Sequence, residues 1–231
     1  MKTLGILGGM GPLATIDLYD KIVRHTDAHK DKDHIHVLID SYPDIPDRTA
    51  FITGDGENPL PFLIEAAMKI EAMGAEFLVM PCNTAHYFYE EVARFVNIPF
   101  LHMIDEVGIY IQKQKPEIKK VGILATEGTY KGQIYEARFA AFNLEILTPS
   151  EEDKKIVSEL IYSVKEGHTL LNKADITKVL AHMKEAGAEV MILGCTELPI
   201  AFEQLNINVE VVDSTLVLAM AAVEYAGARS I

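Results

Sequence analysis

Short apolar runs alternate with amphipathic stretches along the whole chain. The runs at 3–7, 36–39, 76–80, 100–104, 121–125, 145–148, 189–193 and 209–212 have the length and bounding residues of strands, and they predict eight of them. Helical stretches lie between. In 12–26, Pro12 suits a first-turn position, and Leu13, Ile16, Tyr19 and Val23 fall on one face. Strands alternating with helices predict an α/β fold of mostly parallel sheets flanked by helices.

Two pairs of segments match each other. KTLGILGGMGP (2–12) parallels KKVGILATEGT (119–129), with Gly5, Ile6 and Leu7 answered by Gly122, Ile123 and Leu124. MGAEFLVMPCNT (73–84) parallels AGAEVMILGCTE (186–197); Gly74, Ala75, Glu76 and Cys82 each recur 113 positions later. The chain therefore reads as two copies of one α/β unit, pseudo-symmetric about a cleft. The charged, proline-containing QKQKPEIKK (112–120) serves as linker. Ligands of open α/β sheets bind beyond the carboxyl ends of the strands, so the chemistry is expected there.

Composition narrows the partners. With 231 residues and 49% hydrophobic content, the chain has material for one large domain or two small ones. A net charge of −13 argues against nucleic acid and against anionic membrane, and an anionic substrate must be met by locally placed cations. The apolar stretch at the N-terminus is short and broken by Gly5, Gly8 and Gly9, unlike a secretory signal, and no apolar run approaches a membrane span. The expected location is cytoplasmic, where two cysteines do not make a disulfide scaffold.

Those cysteines stand at equivalent places. Cys82 follows the strand run 76–80 and Cys195 the run 189–193, each where a helix is expected to begin. Asn83-Thr84 and Thr196-Glu197 supply polar groups suited to a helix start, whose N–H groups would favour a thiolate. One such cysteine reads more readily as buried filler. Two, the only two, at matching positions of a repeat and both at the functional end of a sheet, read as a reacting pair. A thiolate on one face of a carbon can remove an α-proton while a thiol on the other face returns one, which is racemisation. The pair then holds a single proton between them.

The motifs GGMGPLAT (8–15), YPDIPDR (42–48), PCNTAH (81–86), GILATEGT (122–129) and GCTELP (194–199) together resemble the cofactor-independent aspartate/glutamate racemases, in that family's order and over essentially the whole chain. The resemblance implies two similar α/β domains with the active site between them. Residues 213–231 pack back on the first, giving 1–111 plus 213–231 and 112–212. It implies Cys82 and Cys195 as the catalytic pair, Arg48 binding a substrate carboxylate and Lys165 as second cation. Asn83, Thr84, Thr196 and Glu197 hydrogen-bond the amino acid or orient the thiols; capping a helix is the alternative for Asn83 and Thr84. The loops holding Met10 and Thr126 line the same cleft. The implied activity is interconversion of L- and D-aspartate, with glutamate as a further candidate, without cofactor or metal, in a homodimer. Open beside it stand a related racemase or isomerase for another small dicarboxylate and a non-catalytic binder of small acids.

Other signals carry less. Gly9-Met-Gly11-Pro-Leu-Ala14 fits a dinucleotide fingerprint with Asp40 as ribose partner, but the second copy replaces the glycines and the spacing to Asp40 is long. No Walker lysine follows the glycines. His86 and His102 lack metal-ligand spacing and read as helix-surface or core residues.

Overall fold

A computed structural model of the chain describes residues 1–167 and 172–231. The first half runs β1 (Leu4–Gly8), α1 (Pro12–Arg24), β2 (Val37–Ser41), α2 (Arg48–Thr53), α3 (Leu60–Ala72), β3 (Phe77–Val79), α4 (Tyr89–Ala93) and α5 (Met103–Gln114). The second runs β4 (Lys120–Ala125), α6 (Glu127–Lys131), α7 (Ile134–Phe139), β5 (Glu145–Leu147), α8 (Glu151–Lys165), α9 (Lys173–Glu185), β6 (Val190–Gly194), α10 (Glu197–Gln204), β7 (Val211–Asp213) and α11 (Ser214–Ala226). Two parallel sheets result, ordered β2-β1-β3 and β5-β4-β6-β7. The repeat in the sequence is thus a repeat in space: β1 and β4 are each flanked by the second and third strands of their own half.

The fourth predicted strand, 100–104, is reduced to one bridge between Phe100 and Leu78. Leu78 N–H donates to the Pro99 carbonyl and Leu101 N–H to that of Leu78. The chain then turns into α5, because the His102 ring accepts the Asp105 N–H at 3.3 Å and starts a helix where a strand would continue. That bridge holds the place β7 takes in the other sheet. The linker is also narrower than expected, since α5 runs to Gln114 and β4 starts at Lys120.

Each half lends its last helix to the other. α5 buries Ile104, Val107 and Ile111 with Val121, Ile123 and Val190 of the second sheet. α11 buries Leu218, Ala222 and Val223 with Leu4, Ile6, Phe77 and Val79 of the first. Each fully buried aliphatic side chain is worth about 1.5–3 kcal/mol, so this exchange ties the halves firmly. It also settles which face of α1 is covered. Ala14, Leu18 and Ile22 point inward, while the expected face lies outside, with Leu13 46%, Ile16 62% and Tyr19 42% exposed. A partner helix arriving from two hundred residues downstream cannot be read from local periodicity. Among the described residues, no helix is long and apolar enough to cross a membrane.

Candidate active site

The carboxyl ends of both sheets meet at one chamber. Around it stand Met10, Asp47, Arg48, Thr49, Cys82, Asn83, Thr84, Thr126, Lys165, Cys195, Thr196 and Glu197. All ten residues expected from the sequence are there, joined by Asp47 and Thr49. Its free volume is ≈ 10 Å³, about one water. It shares Met10, Asp47, Arg48, Lys165 and Glu197 with an outer cavity of ≈ 360 Å³.

Strand ends deliver these side chains. After β1 the chain bends through Gly9 at φ +92°, where a Cβ would fall 2.3 Å from the Tyr42 nitrogen; only glycine fits. This bend turns the Met10 carbonyl toward Arg48, whose Nη2 donates to it at 3.4 Å. Asp47 caps α2 by accepting the Ala50 N–H at 2.7 Å, so Arg48 is the first helical residue. The guanidinium folds back over the preceding loop. Nη1 donates to the carbonyls of Ile45 and Pro46, both at 3.0 Å, and the buried Nε has no partner among the described residues. The edge left for a ligand is the Nε/Nη2 side of the group, one of the two geometries that grip a carboxylate with paired N–H donors.

Cys82 and Cys195 are each 6% exposed. Behind Cys82, His86 uses both ring nitrogens: Nε2 accepts the Met103 N–H at 3.1 Å and Nδ1 donates to the Cys82 carbonyl at 2.8 Å. Burial, with His102 beside it, pushes the imidazole down to about 3, so the ring is a neutral core brace. Asn83 and Thr84 do not cap the short 3-10 helix that follows. Asn83 instead donates to Ser214 Oγ at 3.2 Å and accepts from the Tyr135 hydroxyl at 2.6 Å. Thr84 Oγ1 lies 2.8 Å from that of Thr126 and 3.1 Å from that of Thr129, bridging the halves. The capping alternative therefore fails for both residues, because partners distant in sequence hold their side chains. Nothing in local spacing marks Tyr135, Ser214 or Thr129, whereas Asp47 had a signal in its place just before the helix start.

On the opposite wall, the Cys195 thiol donates to Glu197 Oε2 at 3.0 Å, and Thr196 Oγ1 donates to the same oxygen at 3.3 Å. Lys165 Nζ stands 3.9 Å from Glu197 Oε1, with 24% of its side chain exposed. Burial foremost, then the Glu197 carboxylate, pushes the Cys195 thiol well above the usual thiol range, against the pull of Lys165. The expectation that helix-start N–H groups favour a thiolate is overturned at Cys195, because a carboxylate beside a buried sulfur outweighs them. Burial alone would depress the Lys165 ammonium; Glu197 and both sulfurs, opposed by Arg48, hold it above its ordinary value.

The Cys195 shift has a sign that can be checked. A thiol whose folded pKa exceeds the unfolded 9.0 stabilises the fold below that pH and loses its contribution as pH rises beyond it. The melting temperature is expected to fall more steeply above about pH 9 in the native chain than in Cys195→Ala. Glu197→Gln is expected to flatten the slope partway and to bring the Cys195 thiolate absorbance in at lower pH.

Contact between the halves is close at Gly128. A Cβ there would sit 2.8 Å from Thr49 Cα and 3.0 Å from Thr84 Cγ2. Gly128→Ala is expected to push α6 off α2 and lower kcat about 10²-fold, the usual consequence of misplacing a site by about 1 Å. The melting temperature, measured on the same sample, should fall only by the few degrees of a modest overpacking.

A sequence model described as Asp/Glu/Hydantoin racemase matches residues 7–222. Among solved structures, the aspartate racemase of Picrophilus torridus superposes with a TM-score of 0.87 at 32% identity, covering 100% of this chain and 96% of that one. An aspartate racemase homologue from Pyrococcus horikoshii gives 0.78 at 30% identity, with coverage of 98% and 100%. The broad specificity amino-acid racemase RacX of Bacillus subtilis is 28% identical over 227 residues, 95% of this chain and 96% of the relative.

Proposed function

The chain belongs to the Asp/Glu/hydantoin racemase family, and from that premise we propose that it interconverts L- and D-aspartate, with glutamate as a further acidic substrate, by two-base exchange between Cys82 and Cys195. The observation that carries this reading is that the chain's only two cysteines, from matching strand ends of two sheets, line one chamber with Arg48 and Lys165. The α-carboxylate takes the open Nε/Nη2 edge of Arg48, and Lys165 turns from Glu197 to the side-chain carboxylate. The hydrogen bond from the Cys195 thiol to Glu197 supports Cys195 as proton donor to one enantiomer's carbon, with Cys82 as the base on the other face.

In that direction the α C–H bond breaks and its proton goes to the Cys82 sulfur. The electron pair left on carbon is stabilised by the Arg48 and Lys165 charges, which are fixed before reaction. The Cys195 S–H bond then breaks and its proton forms the new C–H bond on the opposite face. The enantiomer leaves with the proton on Cys82, and exchange with solvent, Cys82 losing its proton and Cys195 regaining one, restores the start for the next turnover. The reading uses neither cofactor nor metal. It takes with it a cytoplasmic homodimer and two domains, of which the first is completed by 213–231 and the second by α5, so the boundary within 1–111 falls before Met103 rather than after residue 111.

Incubation with L-aspartate or L-glutamate, followed by chiral separation, is the test. The D-enantiomer should accumulate to an equal mixture. No inversion of either acid would sink the proposal.

A further inference from the structure

The surroundings of the chamber bear on how wide its substrate range is. Four charged side chains border both the chamber and the outer cavity: Arg48 and Lys165 are cations, Asp47 and Glu197 carboxylates. The set balances to zero. Lys165 already faces Glu197 at 3.9 Å, and the buried Arg48 Nε has no partner among the described residues. One carboxylate is therefore met without cost, while a second must displace Glu197 from Lys165. A substrate with a neutral side chain displaces nothing.

The outer cavity is where a side chain would go. The chamber beside the sulfurs has ≈ 10 Å³ of free space against ≈ 360 Å³ outside, so an amino acid's side chain can extend only outward, past Met10. Its walls there are Pro12, Leu13, Pro43, Ile45 and Val164. Among the described residues, no charge lines it beyond the four at its inner rim. Such a surface rewards burial of methylene groups.

From charge balance and wall chemistry, and resting on the racemase reading above, we infer that this site also racemises α-amino acids with an extended apolar side chain, of which norleucine is the simplest probe. The carboxylate and α-proton occupy the places described for aspartate, and the butyl chain lies along Leu13 and Ile45.

The test compares L-norleucine with L-aspartate on the full-length enzyme, by chiral separation together with loss of the α-proton signal in deuterated buffer. Norleucine is expected within about a hundredfold of aspartate in kcat/KM, since apolar pockets discriminate weakly between fitting chains. Aspartate turnover with norleucine slower than that overturns the inference and leaves the racemase reading intact. Turnover of neither overturns both. Leu13→Trp narrows the outer cavity at an exposed helix position and should lower the norleucine-to-aspartate ratio about tenfold. An unchanged ratio would place the side chain elsewhere and contradict the inference, and aspartate turnover in the same preparation reports that the variant is folded.

Discussion

Replacing either Cys82 or Cys195 by serine is expected to reduce aspartate racemisation by about 10²- to 10⁴-fold, the contribution typical of a positioned acid or base. Serine preserves shape, and both sulfurs are buried, so the fold should survive with modest loss of stability. The two losses are not expected to add. Since each turnover needs a base at one face and an acid at the other, removing either stops the same exchange, and the double variant should be about as slow as each single one. Steady-state kinetics of the three variants decide the matter. Full turnover in either single variant would mean that another group supplies that face.

The second large effect is expected at Arg48. Arg48→Lys keeps the charge but loses the planar group that donates to Ile45, Pro46 and Met10 while leaving Nε unpartnered among the described residues. A single ammonium has three donors and no flat edge, so it cannot satisfy those carbonyls and grip a carboxylate together. A loss of about 10²- to 10³-fold in kcat/KM is expected, in line with breaking a buried, hydrogen-bonded charge contact. The loss should appear mainly in kcat/KM, with melting temperature lowered by the unsatisfied carbonyls. Activity within a few-fold of native would remove Arg48 from the substrate's carboxylate.

The sequence shows the arrangement of the site more completely than its electrostatics. The recurrence of Gly74, Ala75, Glu76 and Cys82 at a spacing of 113 is enough to set the cysteines at equivalent strand ends, because strand register is inherited with the repeat. Arg48 and Lys165 reach the chamber from loops and helices that the repeat does not predict; the family resemblance supplied them. Other features depend on contacts no local pattern encodes. Asn83 looked like a cap and is instead held by Tyr135 and Ser214, 52 and 131 residues away. The covered face of α1 differs from the one its apolar positions suggest because its covering helix is α11. The thiolate expectation fails at Cys195 because the residue two places on is a buried carboxylate that accepts the thiol's hydrogen bond, and burial cannot be read from adjacency.

The central claim is that two sulfurs, not one group, handle the α-proton. The most direct measurement follows deuterium at Cα during the first few per cent of conversion of L-aspartate in deuterated buffer. A two-base exchange predicts that the D-aspartate formed carries deuterium while the remaining L-aspartate keeps its protium. Deuterium entering the L-pool as fast as D-aspartate forms, or protium retained in the D-product, would contradict it.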